Sequence, residues 1–277
     1  MSTITANQFD MLRSLVLKES AIVLEPGKEY LVESRLAPLA RREGLGSVSE
    51  LVQKLITSGS TKMKAEVIDA MTTNETSFFR DVHPWQTLRE EILPKIIEAR
   101  RLERRLTVWC AACSSGQEPY SLAMLLRDDF PEVAASWDLK IIATDLSDTM
   151  LYRCREGMYS QLEVNRGLPA PMLIRNFRRE GTDWRIDNEF RRMVDIRTCN
   201  LSVNTTYPRA GSKFDLVFIR NVLIYFDDAT KTRILNETSS RMNSDGYLLL
   251  GSSEVSINSA TRLQRQQFGR TIFFKPT

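Results

Sequence analysis

The sequence predicts an α/β protein in two parts: an all-helical N-terminal domain, then a doubly wound, mostly parallel sheet domain carrying a small inserted antiparallel β-subdomain. Three observations carry this. Up to about Thr72 the apolar residues recur at helical spacing. From "RLTVWCAA" onward, buried-strand runs alternate with helical stretches, as parallel sheets require. Between Gly157 and Arg192 that alternation breaks around the turn signal "REGTD".

Taken in order, Phe9, Leu12 and Leu15/Val16 mark a first helix, and a second runs from about Lys28 to Glu43 before Gly44. "SVSELVQKL" predicts a third, opened by a capping box of Ser47 and Glu50, and "TKMKAEVIDAM" a fourth. These define a helical domain over 1–72. The stretch 73–83, "TNETSFFRDVH", is a junction with an amide, hydroxyls, paired phenylalanines and an arginine. The sheet domain spans 84–277 and starts with a helix having Pro84 in its first turn and Trp85, Leu88, Ile92 and Ile96 on one face. Strand-forming runs are read at "RLTVWCAA", "LKIIATD", "RMVDIRTCNL", "KFDLVFIRNVLIYF" and "GYLLLGSSE", with helices between. "GRTIFFKPT" reads as a last strand, pairing antiparallel at or near an edge after a polar connection. The insertion, about 158–192, reads as a short helix at "APMLIRNF" and a hairpin.

Composition narrows the chemistry. Lys+Arg 38 against Asp+Glu 35 gives a formal charge of +3, too balanced for a surface that tracks nucleic acid. Neither a leader pattern nor a stretch approaching about 20 apolar residues is present, so a cytoplasmic protein without membrane insertion is expected. The four cysteines read as thiols, and the CxxC of Cys110 and Cys113 as packing at a strand end. His83 is the only histidine, which argues against imidazole bases, Ser-His-Asp triads and His-based metal sites.

In doubly wound sheets, ligands lie beyond the carboxyl ends of the strands. The residues there are Gly116 and Glu118 after the first strand, Asp145 after the second, Asn200 and Leu201 after the third, and Arg220, Asn221 and Tyr225 after the fourth. Asp145 is suited to accept both hydroxyl protons of a ribose, and is equally an ordinary helix N-cap. The loop after the first strand has one glycine and no G-K-[ST], so a phosphate cradle is not predicted. A ribose acid without a phosphate loop fits S-adenosylmethionine better than NAD or ATP.

Together, "NETSFFRD", "WCAACSSGQEPYSLAMLL", "ATDLS" and "FDLVFIRNVLIYF" resemble the chemotaxis receptor methyltransferase family, CheR, over nearly the whole chain. The resemblance implies an N-terminal helical domain and a Rossmann-like S-adenosylmethionine domain with an inserted β-subdomain. It implies methyl transfer to glutamate side chains of chemoreceptors, yielding γ-methyl esters and S-adenosylhomocysteine, without a metal. It further implies that Asn74, Thr76 and Arg80 reach the cofactor pocket and that Glu118 and Asp145 hold the methionine and ribose portions. Asn200 and Leu201 would meet the adenine side, Arg220 and Asn221 would form the floor, and Arg80 and Tyr225 would lie near the transferred methyl.

This chemistry suits the lack of other histidines, because a glutamate carboxylate, with an unperturbed pKa of about 4.3, is already an ionised nucleophile at neutral pH. Lys28, Arg35 and Arg42 recur every seven residues with Arg41 beside them, one helical stripe that is either a solvated face or, by the resemblance, the docking surface for acidic receptor helices. The turn in "RREGTDWR" is shorter than in relatives that grip a receptor C-terminal pentapeptide, so tight pentapeptide docking is not expected. A monomer is expected. Competing readings are a nucleic-acid methyltransferase, for which no base-flipping pocket is evident, and a catalytically silent receptor-binding scaffold.

Overall fold

Thr5 and Gln8 form a reciprocal capping box that starts the first helix in the computed structural model, which describes residues 4–256 and 260–277. The chain divides into two compact units. The first comprises residues up to Thr73 with Tyr225–Thr230, and is built on α1 (Ala6–Ser20), α2 (Glu29–Arg42), α3 (Val48–Ser58) and α4 (Thr61–Met71). Each helix buries one stripe: Phe9, Leu12 and Val16; Val32, Leu36 and Leu39; Leu51, Val52 and Leu55; Met63, Val67 and Met71. Truncating one of these fully buried leucines, such as Leu36, to alanine costs roughly 2–5 kcal/mol.

The cap of α3 differs from its prediction. The Ser47 hydroxyl accepts the Glu50 N–H, but the Glu50 carboxylate accepts from the Gly46 N–H at 3.0 Å instead of that of Ser47. The carboxylate thus takes the donor one residue earlier, and Gly46, lacking a side chain, leaves room for it.

The second unit, Asn74–Ile224 with Lys231–Thr277, contains all the strands among the described residues. They are β1 (Arg105–Ala111), β2 (Asp138–Asp145), β3 (Met158–Tyr159), β4 (Phe177–Glu180), β5 (Asp183–Ile186), β6 (Val194–Thr198), β7 (Phe214–Ile219), β8 (Met242–Leu250), β9 (Leu263–Phe268) and β10 (Thr271–Pro276). Seven of them form one sheet in the order β6-β2-β1-β7-β8-β10-β9, parallel except at β10. The chain runs outward from β1 through β2 to β6, then returns to β7 on the other side of β1. That reversal opens a crevice at the carboxyl ends of β1 and β7.

β10 lies next to the edge as expected, between β8 and β9 and antiparallel to both. The edge is β9, "LQRQQF", which lies in the stretch read as a polar connection. Its glutamines and arginine are what a solvent-facing edge tolerates. The insertion is a three-stranded antiparallel sheet, β3-β5-β4, whose β4–β5 turn is Gly181–Thr182 with Gly181 at φ +61°.

The helix His83–Ala99 holds Trp85, Leu88, Ile92 and Ile96 in the same core as Val108, Leu216 and Phe218. It widens into a π-helical turn over Leu88–Ile92. Pro94 lies just beyond and has no N–H for the Glu90 carbonyl, so the ladder shifts by a residue there. Among the described residues no helix is long and apolar enough to cross a membrane.

Candidate active site

At the end of β1 the backbone turns through left-handed conformations, with Ala112 at φ +53°, Ser114 at +50° and Gly116 at +96°. This curl carries the Ser114 N–H to the Asp145 carboxylate at 2.8 Å, while the other Asp145 oxygen accepts the Ser147 N–H at 2.9 Å. Asp145 therefore locks the loops after β1 and β2 together at the crevice, and it is buried. Gly116 is required at this loop by packing as well as by its φ. A β-carbon there would collide with the Cys154 sulfur and crowd the Tyr120 ring, so the glycine lets the loop pack on the helix Asp148–Glu156.

The four cysteines are buried and free, as packing thiols are. Burial pushes the Cys110 thiol well up, and a hydrogen bond with Cys154 together with burial does the same to Cys113.

The charged centre is Arg220, whose side chain is 3% exposed. Its guanidinium donates to the Glu118 carboxylate at 3.0 Å, to the Asp81 carboxylate at 2.8 Å and to the Arg80 carbonyl at 3.1 Å. Burial raises the Glu118 carboxyl above its usual value, with Arg220 and then Arg80 pulling it back. Next in the chain, Asn221 sits at φ +58°, and its N–H is held at 2.6 Å by Glu254. The buried Glu254 carboxylate also accepts from the Gly251 N–H at 2.9 Å and the Ile224 N–H at 3.3 Å, so one side chain organises the loop after β7.

The stretch from Asn74 belongs to this unit and is fastened along its length. The Ser114 hydroxyl donates to the Asn74 carbonyl at 2.9 Å, and the Phe79 N–H to the Ser121 hydroxyl at 3.0 Å. Phe78 is fully buried, edge-on to Tyr159 and Phe177 of the inserted subdomain at 5.0 and 5.5 Å, while Phe79 packs on Trp85 at 5.4 Å. The Trp85 indole N–H donates to the Arg80 carbonyl at 3.1 Å. The half-buried Arg80 guanidinium donates to the Glu75 carbonyl at 3.0 Å. Thr76 is half-buried in the same segment.

Asn74 and Asp145 thus meet through Ser114, Arg80 and Glu118 meet through the Arg220 guanidinium, and Asn221, next in the chain, is held by Glu254. Asn200 and Leu201 follow β6, where the Cys199 N–H reaches the Asp145 carbonyl at 2.9 Å. The Asn200 side chain caps its own turn by accepting from Ser202, and the buried Leu201 has its carbonyl bound by the Tyr207 hydroxyl. Tyr225 groups with the helical unit, its carbonyl accepting the Val23 N–H at 2.9 Å.

The predicted docking stripe is divided. Arg35 is committed within its own unit, donating to the Met71 carbonyl and the Thr73 hydroxyl, and burial lowers its pKa. Arg42 pairs with Glu66 at 3.2 Å, Arg41 is exposed, and Lys28 lies over the Tyr30 ring.

Sequence reading did not find Asp81 or Glu254. Asp81 adjoins Arg80 in the stretch already singled out, and Glu254 follows a strand's carboxyl end in "GSSE", so the rule that found Asp145 reaches it too.

Two buried polar atoms at the end of β7, the Arg220 Nε and the Asn221 Oδ1, have no hydrogen-bond partner among the described residues. A donor and an acceptor so placed at the carboxyl end of β7, by the switch point, fit a polar nucleoside ligand such as S-adenosylmethionine.

Residues 74–272 match the family described as "CheR methyltransferase, SAM binding domain", and residues 7–72 match "CheR methyltransferase, all-alpha domain". The chain is similar to "Chemotaxis protein methyltransferase 1" of Pseudomonas aeruginosa, 40% identical over 271 residues, covering 96% of this chain and 97% of that protein. It is 42% identical over 252 residues to "Chemotaxis protein methyltransferase Cher2" of Pseudomonas putida, covering 89% and 90%. A Vibrio parahaemolyticus "Chemotaxis protein methyltransferase" is 39% identical over 255 residues, covering 91% and 90%. With both family domains matched in order and relatives alike from end to end, the chain belongs to the CheR methyltransferase family.

Proposed function

We propose that this protein transfers the methyl group of S-adenosylmethionine to glutamate side-chain carboxylates of methyl-accepting chemoreceptors in the cytoplasm, leaving γ-methyl esters and S-adenosylhomocysteine. The observation that carries this is the end-to-end similarity to chemotaxis methyltransferases, together with a site rich in arginine and carboxylate.

Asp145 is the candidate ribose ligand, and Glu118, Arg220 and Asn221, with Asn74, Thr76, Asn200 and Leu201, are the candidates for the rest of the cofactor. When bound, the cofactor supplies an electrophilic sulfonium methyl. The acceptor glutamate needs no base, so the protein's task is to hold it in line, an orientation worth roughly 7 to 11 kcal/mol of barrier. Arg80 is suited to this because its planar fork can grip a carboxylate. Tyr225 is assigned a second orienting role. Of the α2 cations, Lys28, Arg41 and Arg42 are the proposed contacts for acidic receptor helices, and Arg35 supports them from within its unit. The two-residue Gly181–Thr182 turn and four-residue β4 offer few backbone groups for an added strand, so tight docking of a receptor C-terminal pentapeptide is not part of this proposal.

The test is incubation with radiolabelled S-adenosylmethionine and receptor-containing membranes. Label on the receptor that is released by mild base supports the ester; base-stable label, or label on nucleic acid, overturns it.

A further inference from the structure

Arg80 sits in backbone that would not hold its shape unaided. Phe79, Asp81 and Val82 have φ of +46°, +70° and +41°, so Arg80 is flanked on both sides by left-handed residues, none of them glycine. Val82, with ψ −59°, is the centre of a positive-φ γ-turn closed by the His83 N–H on the Asp81 carbonyl. Such a turn is strained for any L residue, and more so for a β-branched one. Val82 is 60% exposed, so packing of its side chain does not explain the conformation.

What holds the segment is a set of clamps on either side of Arg80. The Arg80 carbonyl accepts two donors, the Trp85 indole and the Arg220 guanidinium. Arg220 in turn is held by Asp81 at 2.8 Å and Glu118 at 3.0 Å. Asp81 is the carboxylate of the strained segment, and it joins that segment to the ion network.

We propose that Asp81 is a positioning residue: by gripping Arg220 it pins the strained backbone of residues 79–82 and so fixes where the Arg80 side chain leaves the chain. This inference rests on the glutamate-methylating role given to Arg80 above. The neutral isostere Asp81→Asn keeps an acceptor but drops the charge, and weakens the clamp without emptying the site. A misplacement of about 1 Å in a group that orients a reactant costs on the order of a hundredfold in rate.

The test measures methyl transfer to receptor membranes at saturating S-adenosylmethionine for Asp81→Asn, Arg80→Lys and the double variant, with amide hydrogen exchange over residues 78–83. Asp81→Asn should lower the rate about a hundredfold. In the Arg80→Lys background the same change should lower it by less than about threefold, because a clamp has nothing left to position once its target is altered. Exchange should quicken in this segment while circular dichroism is unchanged. Rate losses that multiply in the double variant, or an Asp81→Asn protein within threefold of wild type, overturn the proposal. If Asp81→Asn does not fold, Trp85→Phe removes the other clamp, keeps the ring, and must show the same non-additivity. A wild-type protein that labels no receptor sinks the acceptor assignment instead, and the exchange measurement then decides the clamp by itself: unchanged exchange in Asp81→Asn rejects it.

Discussion

Gly167 lies so close to Phe78 that a β-carbon on the glycine would collide with the Phe78 carbonyl oxygen. Its φ of +92° independently disfavours any side chain. Gly167→Ala should therefore shift the backbone carrying Phe78 and lower stability by roughly 1–3 kcal/mol, with a loss of turnover because Arg80 lies two residues on. Urea unfolding and initial rates check this. An unchanged midpoint would show that the loop yields freely.

Asp145 bears two loads, so its substitutions should separate. Asp145→Ala leaves the Ser114 and Ser147 N–H groups unpaired, roughly 1–3 kcal/mol each, and should destabilise the fold as well as weaken the cofactor. Asp145→Asn keeps one acceptor oxygen and should be the more stable of the two. Both should bind S-adenosylhomocysteine about ten- to a hundredfold more weakly, for loss of ~1.5–3 kcal/mol of hydrogen bonding to a charge. Titration calorimetry gives the answer, and unchanged affinity in Asp145→Asn removes this residue from the ribose role.

Arg80→Ala should lose on the order of 3–4 kcal/mol of transition-state stabilisation, a hundred- to a thousandfold in rate, while remaining folded. Lysine should rescue poorly because it restores charge without the fork. Rates at saturating S-adenosylmethionine are the measurement. A folded alanine variant within threefold of wild type would make the segment 74–83 purely structural.

Glu254→Gln should be more damaging than its distance from the sheet centre suggests. The amide presents an NH2 where the carboxylate now accepts three backbone N–H groups, so a buried donor faces a donor. A loss of roughly 2–3 kcal/mol in urea unfolding is predicted, with an unchanged slope. A shift below about 0.5 kcal/mol would mean that the loop after β7 is held by other contacts.

Turnover should vary little between about pH 6.5 and 8.5, since the acceptor is ionised throughout and no base is used. Stability carries a separate signature from Glu118. Its folded-state carboxyl is raised by burial, so the fold binds that proton more tightly than the unfolded chain does. The corresponding stability is complete below the ordinary carboxyl range and is lost as pH rises through the raised value. Urea midpoints of wild type and Glu118→Gln across acid pH test this. Parallel profiles would reject the assignment, and a steep rate limb near pH 7 would reveal a base not identified here.

The parts legible from sequence were those encoded by local pattern. Phe9, Leu12 and Val16 announce their helix by spacing, and Asp145 and Glu118 stand just after apolar strand runs, where the fold gathers its ligands. β9 was illegible because an edge strand needs little apolar alternation, and "LQRQQF" reads as a linker until β10 pairs with it. The commitment of Arg35 to the Met71 carbonyl and Thr73 hydroxyl was hidden because those partners lie 36 and 38 residues away. The bonds from Asp81 and Glu118 to Arg220 span more than a hundred residues, a distance at which composition and periodicity carry no signal.

The interior place of β10 bears on how the protein is made. The strand 271–276 is translated after both of its neighbours, yet it pairs with each of them, through Phe273 and Phe274 against Leu249 and Leu248 on one side and Gln266 and Arg265 on the other. A nascent chain ending before Thr271 carries β8 with an unpaired outer edge and the apolar run Leu248–Leu250 beside it, and no partner for β9. Synthesis that stops before this strand thus leaves a sheet with a bare apolar margin, a template for self-association.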